Sequence, residues 1–428
     1  MIVAIIFVFI LGYAAIAFEH TLKINKAASA VVTGALCWTI YILFSADKEK
    51  VVSELHFQMG GLSQILFFLL GAMTIVELVD AHDGFELITR HIKTNSKSRL
   101  LWLIGFITFF LSAILDNLTT TIVMISLLRK IIADKEERWM LAGLVVIAAN
   151  AGGSWSPIGD VTTVMLWVGN QVTAANIIIK LFIPGLVCLV VPIVLLKNFF
   201  RGNIQSQNFN HTMGGESRSS YKEKLIVLIL GLFFLLFVPV FKTVTHLPPF
   251  MGILMGLGLL WIITEMIHGG KAEEDRKSFT VAYALRRIDT PSVLFFLGIL
   301  LAVSVLEATG ILHLGAAFLD KQIGNAYISV MGVGLLSSVV DNVPLVAAMQ
   351  GMYDLSIYPT DHYFWEFLAY STGTGGSILI IGSAAGVAAM GMEKINFIWY
   401  LKKIGWVALA GFLSGAFVYI LQHQFFGL

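Results

Sequence analysis

The sequence predicts an all-α polytopic membrane protein made of two inverted-topology repeats, each holding a re-entrant hairpin and a broken transmembrane helix. Three observations predict it. Apolar runs near the roughly 20-residue spanning length recur along the whole chain. The 428 residues are 57% hydrophobic and only 13% charged, with a mean hydropathy of +0.84, far from the averages of soluble domains. Two unrelated motifs each occur twice, in the same order and at nearly the same spacing. The expected plan is about ten spans plus two hairpins.

The first repeat covers 1–200. Apolar segments fall at about 1–18, 27–45 and 61–79. Met1 to Phe18 lacks a basic leader and a small-residue cleavage motif, so it reads as a span and not as a signal peptide. After the charged stretch Asp80 to Arg99 comes the run Leu100 to Leu128. A straight helix of that length would measure roughly 44 Å, too long for a core of about 30 Å. Each half alone is too short to cross. A hairpin at about 100–130 that enters and leaves on one side resolves this, with Asp116-Asn117 at its tip. The next span, about 139–168, is interrupted by Asn150-Ala151-Gly152-Gly153-Ser154-Trp155-Ser156-Pro157-Ile158-Gly159-Asp160. Three glycines, a proline and several polar side chains cannot sustain a lipid-facing helix there. Residues 176–200 complete the repeat.

The polar segment 201–224 reads as a cytoplasmic linker. The second repeat, 225–428, has spans near 225–242, 248–267 and 291–306 and a hairpin at about 323–352 around Asp341-Asn342. A broken span at about 364–392 and a last span at 404–426 follow. Gly-Gly-Ser-x-x-x-Ile-Gly occurs at 152–159 and again at 375–382, and each hairpin aspartate precedes it, by 36 and 34 residues. Matching order and spacing point to internal duplication. Five crossings per repeat is an odd number, which inverts the second repeat relative to the first. With both termini outside (periplasmic), only Lys48, Lys50, Lys180, Lys242 and Lys321 of the 28 Lys and Arg lie outward. The positive-inside rule selects that orientation.

A charged side chain in hydrocarbon costs about 2.5 to 3.5 kcal/mol, so paired aspartates there call for a function. Ser112 and Ser337 each stand four residues ahead of an aspartate, on the same helix face. The two tips and two breaks are expected to converge near the midplane. They would bring together Ser112, Asp116, Asn117, Thr119, Asn150, Ser154, Ser156, Asp160, Thr162 and Thr163 from the first repeat. The second would add Ser337, Asp341, Asn342, Ser371, Thr372, Thr374 and Ser377. Such oxygens suit a hard cation, whereas no Cys/His cluster of the zinc kind is present. Neither tip nor break contains Lys or Arg, so an anionic cargo would meet carboxylates without an evident cationic partner. A carboxylate withdrawn from water holds its proton more readily, and a bound cation opposes that. Cation and proton would therefore compete for the same oxygens, and exchange needs no nucleotide loop.

Other readings remain at this stage. Asp160 has Ser383 as its counterpart and could simply cap a helix. The glycine pairs could serve close packing. Glu77 and Glu307, at the ends of the third spans, could carry protons or reach for water as boundary residues. Glu265 and His268 read as interfacial, and Cys37 and Cys188 as free thiols. The charge of +1 and the absence of a basic tail give no sign of nucleic acid. An intramembrane aspartyl protease would use Asp116 and Asp160 but leaves Asp341-Asn342 unexplained.

At Leu115-Asp116-Asn117-Leu118-Thr119-Thr120-Thr121, Asn150 through Thr163, and Val340-Asp341-Asn342-Val343-Pro344, the chain resembles NhaD-type sodium/proton antiporters of the ion transporter superfamily. The resemblance implies exchange of cytoplasmic Na⁺ or Li⁺ for external protons in a bacterial inner membrane, serving salt and alkali tolerance. It implies roles for Asp116, Asn117, Asp160, Thr162, Thr163, Asp341 and Asn342, with Na⁺ at Asp116, Asn117, Asp341 and Asn342. It also implies a homodimer in the lipid bilayer and no cofactor beyond the transported ions. Sister carriers of anions or arsenite are the alternative within the superfamily.

Overall fold

The computed structural model describes residues 1–89, 94, 96–202, 219–271 and 276–426, so most of the 201–224 linker lies outside the described residues. The first half runs α1 (Ile2–Ala17), α2 (Glu19–Leu22), α3 (Lys26–Phe44), α4 (Lys48–Ala81), α5 (Gly84–Thr89), α6 (Lys97–Ser112), α7 (Asn117–Ile131), α8 (Lys135–Gly153), α9 (Val161–Val168) and α10 (Ala174–Leu196). The second half runs α11 (Tyr221–Thr245), α12 (Pro249–His268), α13 (Val281–Arg287), α14 (Thr290–Ala308), α15 (Ile311–Gln322), α16 (Ala326–Leu336), α17 (Asn342–Met352), α18 (Tyr363–Gly375), α19 (Ala384–Glu393) and α20 (Phe397–Tyr400). A π-helical turn then leads into α21 (Trp406–Phe426).

Seven of these units are long and apolar enough to cross a membrane: α3, α4, α10, α11, α12, α14 and the continuous α20–α21 stretch. The protein is an all-α, multi-pass membrane protein. The remaining expected spans take other forms. α1 has 16 residues, and the two interrupted spans are the helix pairs α8/α9 and α18/α19. α4 departs most from the sequence reading, which begins this span at 61. It has 34 residues, about 51 Å at 1.5 Å per residue. Asp47 starts it early by accepting a bond from the Lys50 N–H at 2.9 Å. Polar Glu49, Glu54 and His56 lower the hydropathy of the first turns without breaking their helical hydrogen bonding.

Packing sorts the helices into two groups. α1, α3, α4, α11, α12 and α14 form one; α6 to α10 and α16 to α21 form the other. The first group is pinned where α3 crosses α14. A Cβ on Gly34 would fall 2.6 Å from the Gly298 carbonyl oxygen, and one on Gly298 would fall 2.4 Å from the Val31 nitrogen. In the second group, α6 packs on α8 as α16 packs on α18, and α7 meets α19 as α17 meets α9. α10 and α21 lie against each other, and α14 with α17 and α4 with α9 join the two groups.

Candidate functional site

The turn 113–116 separates α6 from α7, and 337–341 separates α16 from α17. Both turns are seated by glycine against the interrupted spans. A Cβ on Gly152 would meet the Phe109 carbonyl oxygen at 2.2 Å, and one on the equivalent Gly375 would meet the Gly334 oxygen at 2.0 Å. A Cβ on Gly159 would fall 2.6 Å from the Ser112 carbonyl oxygen, and one on Gly382 would fall 2.7 Å from the Ser337 oxygen and 2.4 Å from the Ser338 oxygen. The serines match as well. Ser112 Oγ donates to the Ala149 carbonyl at 2.7 Å and Ser337 Oγ to the Thr372 carbonyl at 3.0 Å. Backbone approaches this close leave room for nothing but hydrogen. The duplicated motif therefore serves packing as well as chain interruption.

Four helix N-termini are thereby turned into one region, capped by three candidate site residues and by Ser383, the counterpart of Asp160. Asp116 caps α7, accepting from Thr119 N and Thr119 Oγ1, both at 2.7 Å. Asp160 caps α9, accepting from Thr162 N at 2.8 Å and Thr162 Oγ1 at 2.7 Å. Asp341 caps α17 through Val343 N at 3.3 Å, and Ser383 caps α19 through Gly386 N at 3.2 Å. The positive end of each helix favours the ionised carboxylate at its cap.

Asp160 is the hub, only 2% exposed. Its Oδ2 accepts from Asn117 Nδ2 at 2.6 Å, and its Oδ1 accepts from Asn342 Nδ2 at 3.4 Å. Asn117 Nδ2 also donates to Asn150 Oδ1 at 3.1 Å, and Asn150 Nδ2 donates to Ser383 Oγ at 2.9 Å. One hydrogen-bond chain thus links both tips and both breaks. The Oδ1 atoms of Asn117 and Asn342 accept no bond from the described residues, which leaves them as oxygen donors for a ligand. Asp116 and Asp341 are the chain neighbours of Asn117 and Asn342, the two amides bonded to Asp160.

Other predicted residues divide. Thr163 Oγ1 donates to the Asp160 carbonyl, Ser154 Oγ to Ala151, Thr372 Oγ1 to Leu368, Thr374 Oγ1 to Tyr370 and Ser377 Oγ to Thr374, all local helix bonds. Ser156 Oγ accepts from Ile158 N, and the buried Ser371 hydroxyl has no partner among the described residues. Gly373 lies against Ser154, so the breaks of the two halves touch. Glu77 and Glu307 stand away from the hub. Glu77 pairs with Arg287 at 2.8 Å. Glu307 lines an open cavity of about 440 Å³ with Glu54, Gln58 and His313. Among the described residues, no group of three or more His, Cys, Asp or Glu is disposed to hold a metal ion. The reason is visible: amides separate the carboxylates, and Asp341 is turned elsewhere.

That turn corrects one expectation. The Asp341 carboxylate does have a cationic partner, Lys26 of α3, whose Nζ is 3.1 Å from Oδ2. The sequence hides it because 315 positions separate the pair. His268, at the end of α12, also has a partner that the sequence does not reveal. It is 1% exposed, shares a 2.9 Å contact between Nε2 atoms with His82 and stacks on Phe279. Sequence reading also passes over Glu393, only 5% exposed and bonded by Arg129 and Arg138, and over Glu366, which accepts from Asn176 and Tyr419. Cys37 and Cys188 are free and buried.

Helix-capping carboxylates and amides gathered inside a multi-pass helical bundle suit a secondary transporter, and the chain's relatives place it in that class. The chain belongs to the citrate transporter family, whose model matches residues 2–375, and within the ion transporter superfamily it is of the NhaD sodium/proton antiporter type. It is 49% identical over 422 residues to sodium/proton antiporter 1 of Arabidopsis thaliana, covering 99% of this chain and 73% of that one. It is 47% identical over 416 residues to sodium/proton antiporter 2 of the same plant, covering 97% and 98%. To the Na⁺/H⁺ antiporter NhaD of Vibrio cholerae it is 30% identical over 458 residues, covering 99% and 92%.

Proposed function

We propose that this protein exchanges Na⁺, or Li⁺, for H⁺, with cation and proton competing for Asp116, Asp160 and Asp341. The observation that carries the reading is the hub: a buried carboxylate bridging one amide from each tip, with two more capping carboxylates next to those amides in the chain. Asn117 and Asn342 supply neutral oxygens, and the caps keep the carboxylates disposed to ionise. The relatives named as sodium/proton antiporters support the cargo. The proposal includes two inverted repeats, supported by the matching glycine and serine contacts of the two halves. It further includes termini on the periplasmic side of a bacterial inner membrane, a homodimer, a role in salt and alkali tolerance, and proton access by way of Glu77 and Glu307.

The test uses everted vesicles from cells lacking their own antiporters. After respiration acidifies the lumen, Na⁺, Li⁺, K⁺, citrate and arsenite are added in turn. Collapse of the proton gradient by Na⁺ or Li⁺, lost in Asp116→Asn and Asp341→Asn, is the expected result. A response to citrate or arsenite alone would replace this reading by that of an anion carrier, for which four helix N-termini and Lys26 would form the pocket.

A further inference from the structure

Asp116 and Asp341 occupy equivalent tip positions, yet their surroundings differ for a covalent reason. Three residues after Asp116 stands Thr119, which gives that carboxylate both its N–H and its hydroxyl at 2.7 Å. Three residues after Asp341 stands Pro344, which has neither an N–H nor a hydroxyl. The Asp341 carboxylate keeps only the longer bond from Val343 N at 3.3 Å. Its remaining valence is met by Lys26 Nζ at 3.1 Å, with the two side chains 15% and 24% exposed.

Lys26 is not a stray surface lysine. It is the first residue of α3, whose N-terminus is fixed by Asn25 Oδ1 accepting from Ala27 N at 2.8 Å. Its own N–H donates to Glu19 Oε1 at 3.2 Å. Its ammonium sits 4.4 Å from the centroid of the Phe295 ring on α14, a favourable place for a cation. α3 and α14 are locked together at Gly34 and Gly298. The ammonium therefore reaches from a rigid pair in one helix group to the N-cap of α17 in the other.

An ammonium is a monovalent cation that binds carboxylate oxygen, as Na⁺ does, but it cannot leave. We propose that Lys26 is a tethered competitor: its ammonium occupies Asp341 in the absence of the transported cation, and the cation must displace it to use that carboxylate. Lys26 thereby sets the apparent cation affinity of the exchanger. The inference rests on the reading that Asp341 takes part in cation exchange.

The experiment compares wild type, Lys26→Gln, Lys26→Arg and Asp341→Asn in everted vesicles at alkaline pH, where protons compete least, with Na⁺ titrated. Removing the competitor in Lys26→Gln is expected to lower the half-saturating Na⁺ about tenfold, the factor that 1.4 kcal/mol represents, with exchange retained. Lys26→Arg restores a cation and stays within about twofold of wild type, a rescue on the scale of a weak exposed pair. Loss of packing alone would reduce protein level or maximal rate and would not tighten Na⁺ dependence. Unchanged half-saturation in Lys26→Gln together with an inactive Asp341→Asn overturns the role of Lys26 and leaves the exchange reading intact. Full activity in Asp341→Asn removes the site reading itself. A folded but inactive Lys26→Gln also overturns the proposal, since a competitor is dispensable. If Lys26→Gln does not accumulate, Lys26→Met keeps the apolar stem over Phe295, and Na⁺-dependent thermal stabilisation of the purified protein gives the same comparison. Failure of both variants to accumulate assigns Lys26 a structural role instead.

Discussion

Asp160→Asn changes one atom and tests the hub directly. The carboxylate accepts four bonds, from Thr162 N at 2.8 Å, Thr162 Oγ1 at 2.7 Å, Asn342 Nδ2 at 3.4 Å and Asn117 Nδ2 at 2.6 Å. An amide has one oxygen. Keeping it toward Thr162 preserves the cap of α9 and the Asn342 contact, and it sets an NH₂ against the Asn117 NH₂. A hydrogen bond to a charged group contributes about 1.5 to 3 kcal/mol, and that is the expected cost. Asn117 can recover by rotating its oxygen toward residue 160. Asn150 must then reverse too, and Ser383 must donate where it now accepts, which a hydroxyl can do. The substitution should therefore cost about 2 kcal/mol of stability while removing the charge, leaving a folded protein without cation exchange. Thermal unfolding of the purified protein and vesicle exchange together check this. Wild-type Na⁺ dependence in Asp160→Asn would refute the reasoning, because the ionised hub would then be dispensable.

Further outcomes can be stated for other parts of the molecule. Gly152→Ala and Gly375→Ala should each cost about 3 kcal/mol or more, beyond ordinary overpacking, since the new Cβ meets backbone oxygen at 2.2 and 2.0 Å. Gly60→Ala, with nothing within 4 Å, should stabilise α4 by about 0.5 to 1 kcal/mol; melting temperatures of the three variants give the ranking. Glu393→Gln should cost about 1.5 kcal/mol, the low end for hydrogen bonds to a charged group, because the guanidinium groups it leaves, above all the half-exposed Arg129, keep access to water, and denaturation against Arg129→Gln measures it. His362, outside the spans, caps α18 by accepting from Phe364 N at 3.3 Å, which only the neutral ring can do. Burial, and then His423, hold its pKa below the usual value. The cap is thus fully present above the unfolded value of about 6.5 and is lost as pH falls through the folded value. Proteolysis at the start of α18 should rise on acidification, and His362→Asn should abolish that dependence.

Span positions are legible because hydropathy and length decide them, and the paired motifs are legible because they recur in the same order at nearly the same spacing. Asp116, Asp160 and Asp341 stood out since charge in an apolar run is costly. What stayed hidden depends on pairing across the chain. Lys26 reads as an ordinary inner-end lysine until α3 is placed beside α17. The pairing of His268 with His82, 186 positions earlier, emerges only when α12 is placed beside the end of α4. The length of α4 is hidden for another reason: hydropathy measures solvent preference, whereas the Asp47 cap decides where this helix begins. Ser383 was recognised as the counterpart of Asp160, but its place at the end of the amide chain required both breaks in space.

Pro344 gives the two turns a chemical difference that their backbones do not show. Threonine in one tip and proline in the other leave two like-shaped turns with unlike appetites for charge. On the inverted-repeat reading those turns approach the centre from opposite faces of the bilayer. One turn then presents a carboxylate already satisfied by its own threonine, and the other presents one satisfied by a borrowed ammonium. A ring without an N–H would thus suffice to make the two directions of travel chemically distinguishable.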